Sequence, residues 1–237
     1  MIMSKEVSKR IKNKRPGELI TYDEFKDLDN FSAVSSTLKR LQKTGMIQRL
    51  SKGMYFRPEK TKYGALSPTD GEILKALLKT KSKGHVSGIT AFNALGLTTQ
   101  VPNVVVIAGD HSPRMRTIGQ LKIKFKKSDV LTNLKNTKIL QLLDAMQSIK
   151  KISGTNVTDA FVALKQKIES LTQDETKRMV FLAQKSRPLT RALLGALIEE
   201  KYPKESQKLA KTLNSLTTYQ IGISDELLPN KKRWKIK

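Results

Sequence analysis

One stretch constrains the chain more than any other: Thr21 to Pro58, TYDEFKDLDNFSAVSSTLKRLQKTGMIQRLSKGMYFRP. Tyr22, Phe25 and Leu28 recur every third residue behind Thr21, which is the pattern of a short capped helix with one apolar face. After the turn DNF, Ser32 or Asn30 caps a second helix, Ser32 to Thr44. In it Val34, Leu38 and Leu41 fall at i, i+4 and i+7, and Ser35, Ser36, Lys39 and Lys43 lie opposite. Gly45 supplies the positive φ that ends this helix, and MIQRL and MYFRP then form two short strands joined across SKG. Upstream, residues 4 to 14 make a first helix with Val7 and Ile11 on its inner face. Arg15-Pro16-Gly17 turns the chain, and Leu19 and Ile20 supply a small strand to the hairpin. The order predicts a winged helix-turn-helix.

Such a module reads DNA when its second helix has a buried back and an open front of short polar and cationic side chains, since bulk would keep it from the major groove. Ser32, Ser35, Ser36, Lys39, Arg40 and Lys43 on the helix, with Arg49 and Lys52 at the hairpin, are the expected DNA-binding residues. The same module docking on another protein is the competing reading.

Charge favours the first. Lys and Arg total 45 against 21 acidic residues, a formal charge of +24, beyond what solubility requires. Residues 1–60 hold 14 basic and 7 acidic residues, so the excess extends through the rest of the chain. With no cysteine and two histidines there is no thiolate site and no zinc set, and no metal or cofactor is expected. No apolar run approaches ~20 residues and the start lacks a signal-peptide core, so no membrane partner and a cytoplasmic location are expected.

Residues 59–68, EKTKYGALSP, read as a linker, dividing the chain into a DNA-binding domain over 1–60 and a second domain over 61–237. Thr69 and Glu72 have capping-box spacing before a helix with Ile73, Leu74, Leu77 and Leu78 on its apolar face. SGITAFNALGL reads as a short helix, with His85 in the loop before it. Residues 101–109, VPNVVVIAG, read as a buried strand. In LKIKFKK, 121–127, Leu121, Ile123 and Phe125 alternate with Lys122, Lys124 and Lys126, the pattern of a half-exposed strand with a basic outer face. The segment between is expected to be a loop containing His111, Arg114 and Arg116. The fold class is α+β: a winged helix-turn-helix, then a mixed α/β domain with a largely helical C-terminal part.

The winged segment with RLSKGMYFRP, followed by LSPTDGEILKALLKTKSKGHVSGITAFNALGL, then VPNVVVIAG and a basic strand, resembles the AbiEi family of antitoxins of type IV toxin-antitoxin systems. The likeness covers roughly residues 4–130 and is one of order and pattern. It implies a repressor of its own operon that binds double-stranded DNA at its own promoter and counters a nucleotidyltransferase toxin, AbiEii-like, in phage abortive infection. Whether the toxin is contacted directly is not fixed by the resemblance. The alternative is an orphan winged-helix regulator whose second domain senses a ligand or mediates assembly.

Beyond residue 135 the sequence is helical: Ile139, Leu142, Leu143 and Met146 share a face, as do Phe161, Leu164 and Ile168. Pro188 starts a helix burying Leu189, Leu193, Ala196 and Leu197, and a further short helix carries Leu209, Leu213 and Leu216. YQIGI is read as a terminal strand. No phosphate loop or nucleophile elbow is present, so no enzyme is expected. His85 reads as structural or solvated, and the pairs Asp174-Glu175, Glu199-Glu200 and Asp225-Glu226 as local features. Arg114, Arg116, Lys122, Lys124 and Lys126 form a possible secondary basic surface. The tail, NKKRWKIK, sets Trp234 among cations, either to stack on a partner or to pack at home.

Overall fold

The computed structural model describes residues 2–62, 64–79, 84–110, 112–128 and 136–237. The fold is mixed α+β, and the chain divides into two compact units. The first comprises Met1–Ser82 and Arg116–Lys122, the second Lys83–Met115 and Ile123–Lys237.

In the first unit α1 (Ile2–Lys12) and α2 (Phe31–Lys43) flank a 3-10 segment, Tyr22–Leu28, that is kinked at Phe25. Strands β1 (Leu19–Thr21), β2 (Gln48–Ser51) and β3 (Met54–Phe56) form an antiparallel sheet in the order β1-β3-β2, with Ile20 opposite Tyr55 and Arg49 opposite Tyr55 across the other edge. Their shared core is Val7, Ile11, Ile20, Phe25, Val34, Leu38, Leu41, Ile47 and Tyr55. Arg57 ties the sheet to the end of α1 by donating to the carbonyls of Lys12 and Lys14 at 2.7 and 2.6 Å, a cation placed where helix carbonyls lack partners.

The stretch expected to be a linker is instead a hairpin, β4 (Glu59–Thr61) paired antiparallel with β5 (Gly64–Leu66). The units therefore divide after Ser82 rather than after residue 60. Two strands of three residues each, one polar and one Gly-Ala-Leu, offer no apolar alternation, which is why the sequence shows only loop chemistry there. In α3 (Asp70–Lys79) the capping box is complete. The Thr69 amide donates to Glu72 Oε2 at 2.8 Å and the Glu72 amide to Thr69 Oγ1 at 3.3 Å.

The second unit holds most of a four-stranded sheet, order β6-β7-β9-β8, from β6 (Gly84–Ser87), β7 (Val104–Gly109), β8 (Arg114–Ile118) and β9 (Leu121–Lys127). Strand β9 follows the expected alternation, Leu121, Ile123 and Phe125 buried and Lys122, Lys124 and Lys126 exposed. Two strands correct the reading. His85 lies in β6, not in a loop, and Arg114 and Arg116 lie in β8, not in a loop. As the outer strand of the sheet, β8 accommodates cations at alternate positions, Arg114 exposed and Arg116 half-buried, a device that protects edges and hides the strand from pattern reading.

Helices α4 (Ile89–Ala94), α5 (Thr137–Gln147), α6 (Val157–Glu169), α7 (Gln173–Ala183), α8 (Pro188–Ile198) and α9 (Pro203–Ala210) complete the unit. Ile139, Leu142, Leu143 and Met146 of α5 are buried as expected, with Phe161, Leu164 and Ile168 of α6 and Leu193 of α8 in the same core. Leu216 is 91% exposed and outside it. YQIGI forms no strand, only an isolated bridge from Tyr219 to Ile236.

Trp234 is packed, not free to stack on a partner: it is 3% exposed, lies against Gly195 of α8, and its indole N–H donates to Glu199 Oε2 at 3.0 Å. Asn230 Nδ2 donates to the same oxygen at 2.7 Å, and Arg233 pairs with Glu199 Oε1 at 2.9 Å, so this carboxylate anchors the C-terminal segment.

Candidate nucleic-acid interface

Helix α2 is positioned from both ends. Asp29 takes a left-handed conformation, φ 45°, which frees Asn30 to cap the helix by accepting the Ala33 amide at 3.0 Å. The cap is thus Asn30, and Ser32 lies inside the helix. Val34, Thr37, Leu38 and Leu41 are the buried residues of α2, and Thr37 returns its hydroxyl to the Ala33 carbonyl at 2.8 Å.

The opposite face is open. At roughly 100° per residue, Ser32, Ser36, Lys39 and Lys43 fall within a stripe roughly 60° wide. All four are exposed. Ser35 and Arg40 flank that stripe and are engaged locally. The Ser35 hydroxyl accepts from Tyr22 Oη at 3.2 Å, and Arg40 donates to Ser4 Oγ of α1 at 2.8 Å.

Charges in the first unit are sorted. Arg10 pairs with Glu6 and Asp27 at 2.9 and 2.6 Å, and Lys14 with Glu18 and Glu24 at 2.8 and 2.7 Å. The Arg10 guanidinium holds the Asp27 carboxyl below its ordinary range, as the Lys14 ammonium does for Glu18. Helix α2, FSAVSSTLKRLQK, contains no acid at all, and Lys39, Lys43, Arg49 and Lys52 enter no ion pair among the described residues. Carboxylates therefore engage Arg10 and Lys14 and leave the α2 front cationic.

The hairpin turn is Lys52-Gly53, with Gly53 at φ +78° and Lys52 exposed. Arg116 is half-buried and donates to Ser51 Oγ at 3.1 Å and to the Lys52 carbonyl at 2.7 Å. Arg116, expected on a basic surface, fastens the turn with its guanidinium. Gly119, at φ +60°, lies where a Cβ would stand 3.1 Å from Leu50 Cδ1, a second close approach to β2.

The other members of the expected secondary surface are exposed. Arg114 stands over the Phe125 ring with its guanidinium carbon 4.8 Å from the centroid. Lys122, Lys124 and Lys126 share the outer face of β9. Lys122 belongs to the first unit and Lys124, Lys126 and Arg114 to the second. His111 lies outside the described residues.

His85 is 1% exposed, and its Nε2 stands 2.8 Å from Asp144 Oδ2 of α5, while Nδ1 has no partner among the described residues. It joins β6 to α5. No group of three or more His, Asp or Glu residues that could hold a metal ion occurs among the described residues, and no helix there is long and apolar enough to cross a membrane.

Two features of the interface escaped sequence reading. Phe31, the first residue of α2, is 68% exposed with its ring 4.6 Å from that of Tyr22. Arg116 reaches Lys52 from a distant segment. Only Phe31 carried a signal, an aromatic at a helix start where short polar residues are usual.

The fold is thus a mixed α+β architecture in which helix α2 carries three cations and no acid. Residues 6–180 match the family described as "Family of unknown function (DUF6088)", and the chain belongs to that family. No curated protein matches the sequence. Among solved structures, the chain resembles the RV2827C protein from Mycobacterium tuberculosis, known from a crystal structure. The TM-score is 0.50 and identity 12%, covering 93% of this chain and 85% of that one. At that identity the likeness speaks for the fold alone.

Proposed function

We propose that this chain is a DNA-binding transcriptional repressor whose first unit contains a winged helix-turn-helix. The observation that carries the reading is α2: acid-free, buried through Val34, Leu38 and Leu41, and presenting Ser32, Ser36, Lys39 and Lys43 with no ion pair. Serines near the start of such a helix meet phosphates or base edges, and the lysines track the backbone. Lys52 and Arg49 serve the adjoining wing. The resemblance to AbiEi antitoxins extends the proposal: the protein represses its own operon and counters a nucleotidyltransferase toxin, without catalysing a reaction itself.

The test is a fluorescence-anisotropy titration of the full chain against duplex from its own upstream region and against a scrambled duplex, across a salt series. A +24 chain binds any duplex at low salt, so only the difference is informative. A preference that persists near physiological salt supports the repressor. Equal affinities that collapse together with salt reject it. The antitoxin half is tested separately, by asking whether the chain restores growth to cells expressing a nucleotidyltransferase encoded beside it.

A further inference from the structure

We propose that Phe31 is a specificity-determining residue that reads the 5-methyl group of thymine in double-stranded DNA; this rests on the DNA-binding reading above. Phe31 opens α2, and helical side chains lean toward the N-terminus, so its ring overhangs the end of the helix that approaches base edges. The fold gains little from it there, with 68% of the residue exposed. Yet the ring is held in place. Tyr22 lies behind it, centroids 4.6 Å apart and planes at 36°. Tyr22 is itself fixed by its hydroxyl on Ser35 Oγ at 3.2 Å and by an edge contact with Tyr55 at 6.4 Å. A backed, outward aromatic one residue before Ser32 and one turn before Ser35 gives the helix start one apolar contact among polar ones. In the major groove the thymine methyl is the apolar feature that such a contact meets.

The experiment selects the duplex that the full chain binds most tightly from a randomised double-stranded pool, then replaces its thymines singly with deoxyuridine, which removes only the methyl. At one or two positions the substitution should weaken binding about fourfold, the worth of one buried methyl group. Phe31→Ala should bind the parent duplex weaker by a similar factor and be indifferent to deoxyuridine at those positions. Lys39→Ala should keep the penalty. A selected site at which every deoxyuridine duplex binds like the parent, or at which Phe31→Ala retains the penalty, overturns the role of Phe31 and leaves the DNA reading standing. A pool that enriches no sequence overturns both.

Discussion

Arg116 and Lys52, 64 residues apart in the sequence, are joined by a 2.7 Å hydrogen bond from guanidinium to carbonyl. The same nitrogen reaches Ser51 Oγ, so one side chain from β8 grips both residues on the strand side of the turn. A cation used this way shapes the β2–β3 turn.

Arg116→Ala should therefore weaken duplex binding by a modest factor, on the order of 1 kcal/mol for a partly exposed charged hydrogen bond. The salt dependence should keep its slope. A slope reduced as it would be by loss of a phosphate contact would instead place Arg116 itself at the DNA.

Lys39→Ala and Lys43→Ala should each lower the log–log salt slope by about 0.9, the signature of one phosphate released. Arg40→Ala should change it less, because Arg40 is held by Ser4 on α1. Anisotropy at four or five salt concentrations checks all three, and an unchanged slope in the Lys39 variant would remove α2 from the interface.

In the second unit, a Cβ at position 195 would overlap the indole ring of Trp234. Gly195→Ala should destabilise this unit by about 1–3 kcal/mol through overpacking. Trp234 is the sole tryptophan, so its fluorescence in a urea titration reports this unit directly.

Acid should loosen the same unit through α7. Glu175 is held below the ordinary carboxyl range by the Thr172 amide and then by the Thr172 hydroxyl. A depressed folded value means that the stabilisation is present above the unfolded pKa and is lost as pH falls through the folded one. Glu175→Gln keeps an acceptor for the capping box but does not titrate, so it should flatten the loss between about pH 5 and pH 3 by a few tenths of a kcal/mol, given its exposure. Parallel denaturation midpoints for wild type and variant over that range would show no such difference if the box did not titrate.

Local chemistry was legible in the sequence and long-range fastening was not. The α2 stripe, the Thr69–Glu72 box, the alternation of β9 and the Pro188 helix start each depend on residues within one or two turns of one another. Strand β6 was missed because GHVS has one apolar residue, and its His85 meets Asp144, 59 positions away, through one ring nitrogen. The hairpin at residues 59–66 and strand β8 were missed for a related reason: the hairpin strands are three residues each, and β8 sets arginines rather than apolar residues at alternate positions. Of the eight residues expected at DNA, Ser35 and Arg40 turn aside to Tyr22 and Ser4, partners invisible until the helices are in place.

The inclusion of Arg116–Lys122 in the first unit bears on how the protein is made. A ribosome finishes α1 to α3 well before it delivers the segment that grips the β2–β3 turn, a delay on the order of seconds at ordinary elongation rates. Until then the nascent hairpin lacks its fastener. A gene cut at either apparent border would yield a protein with α2 intact and the β2–β3 turn unheld, so shuffling this unit between partners requires carrying a piece of the second half along.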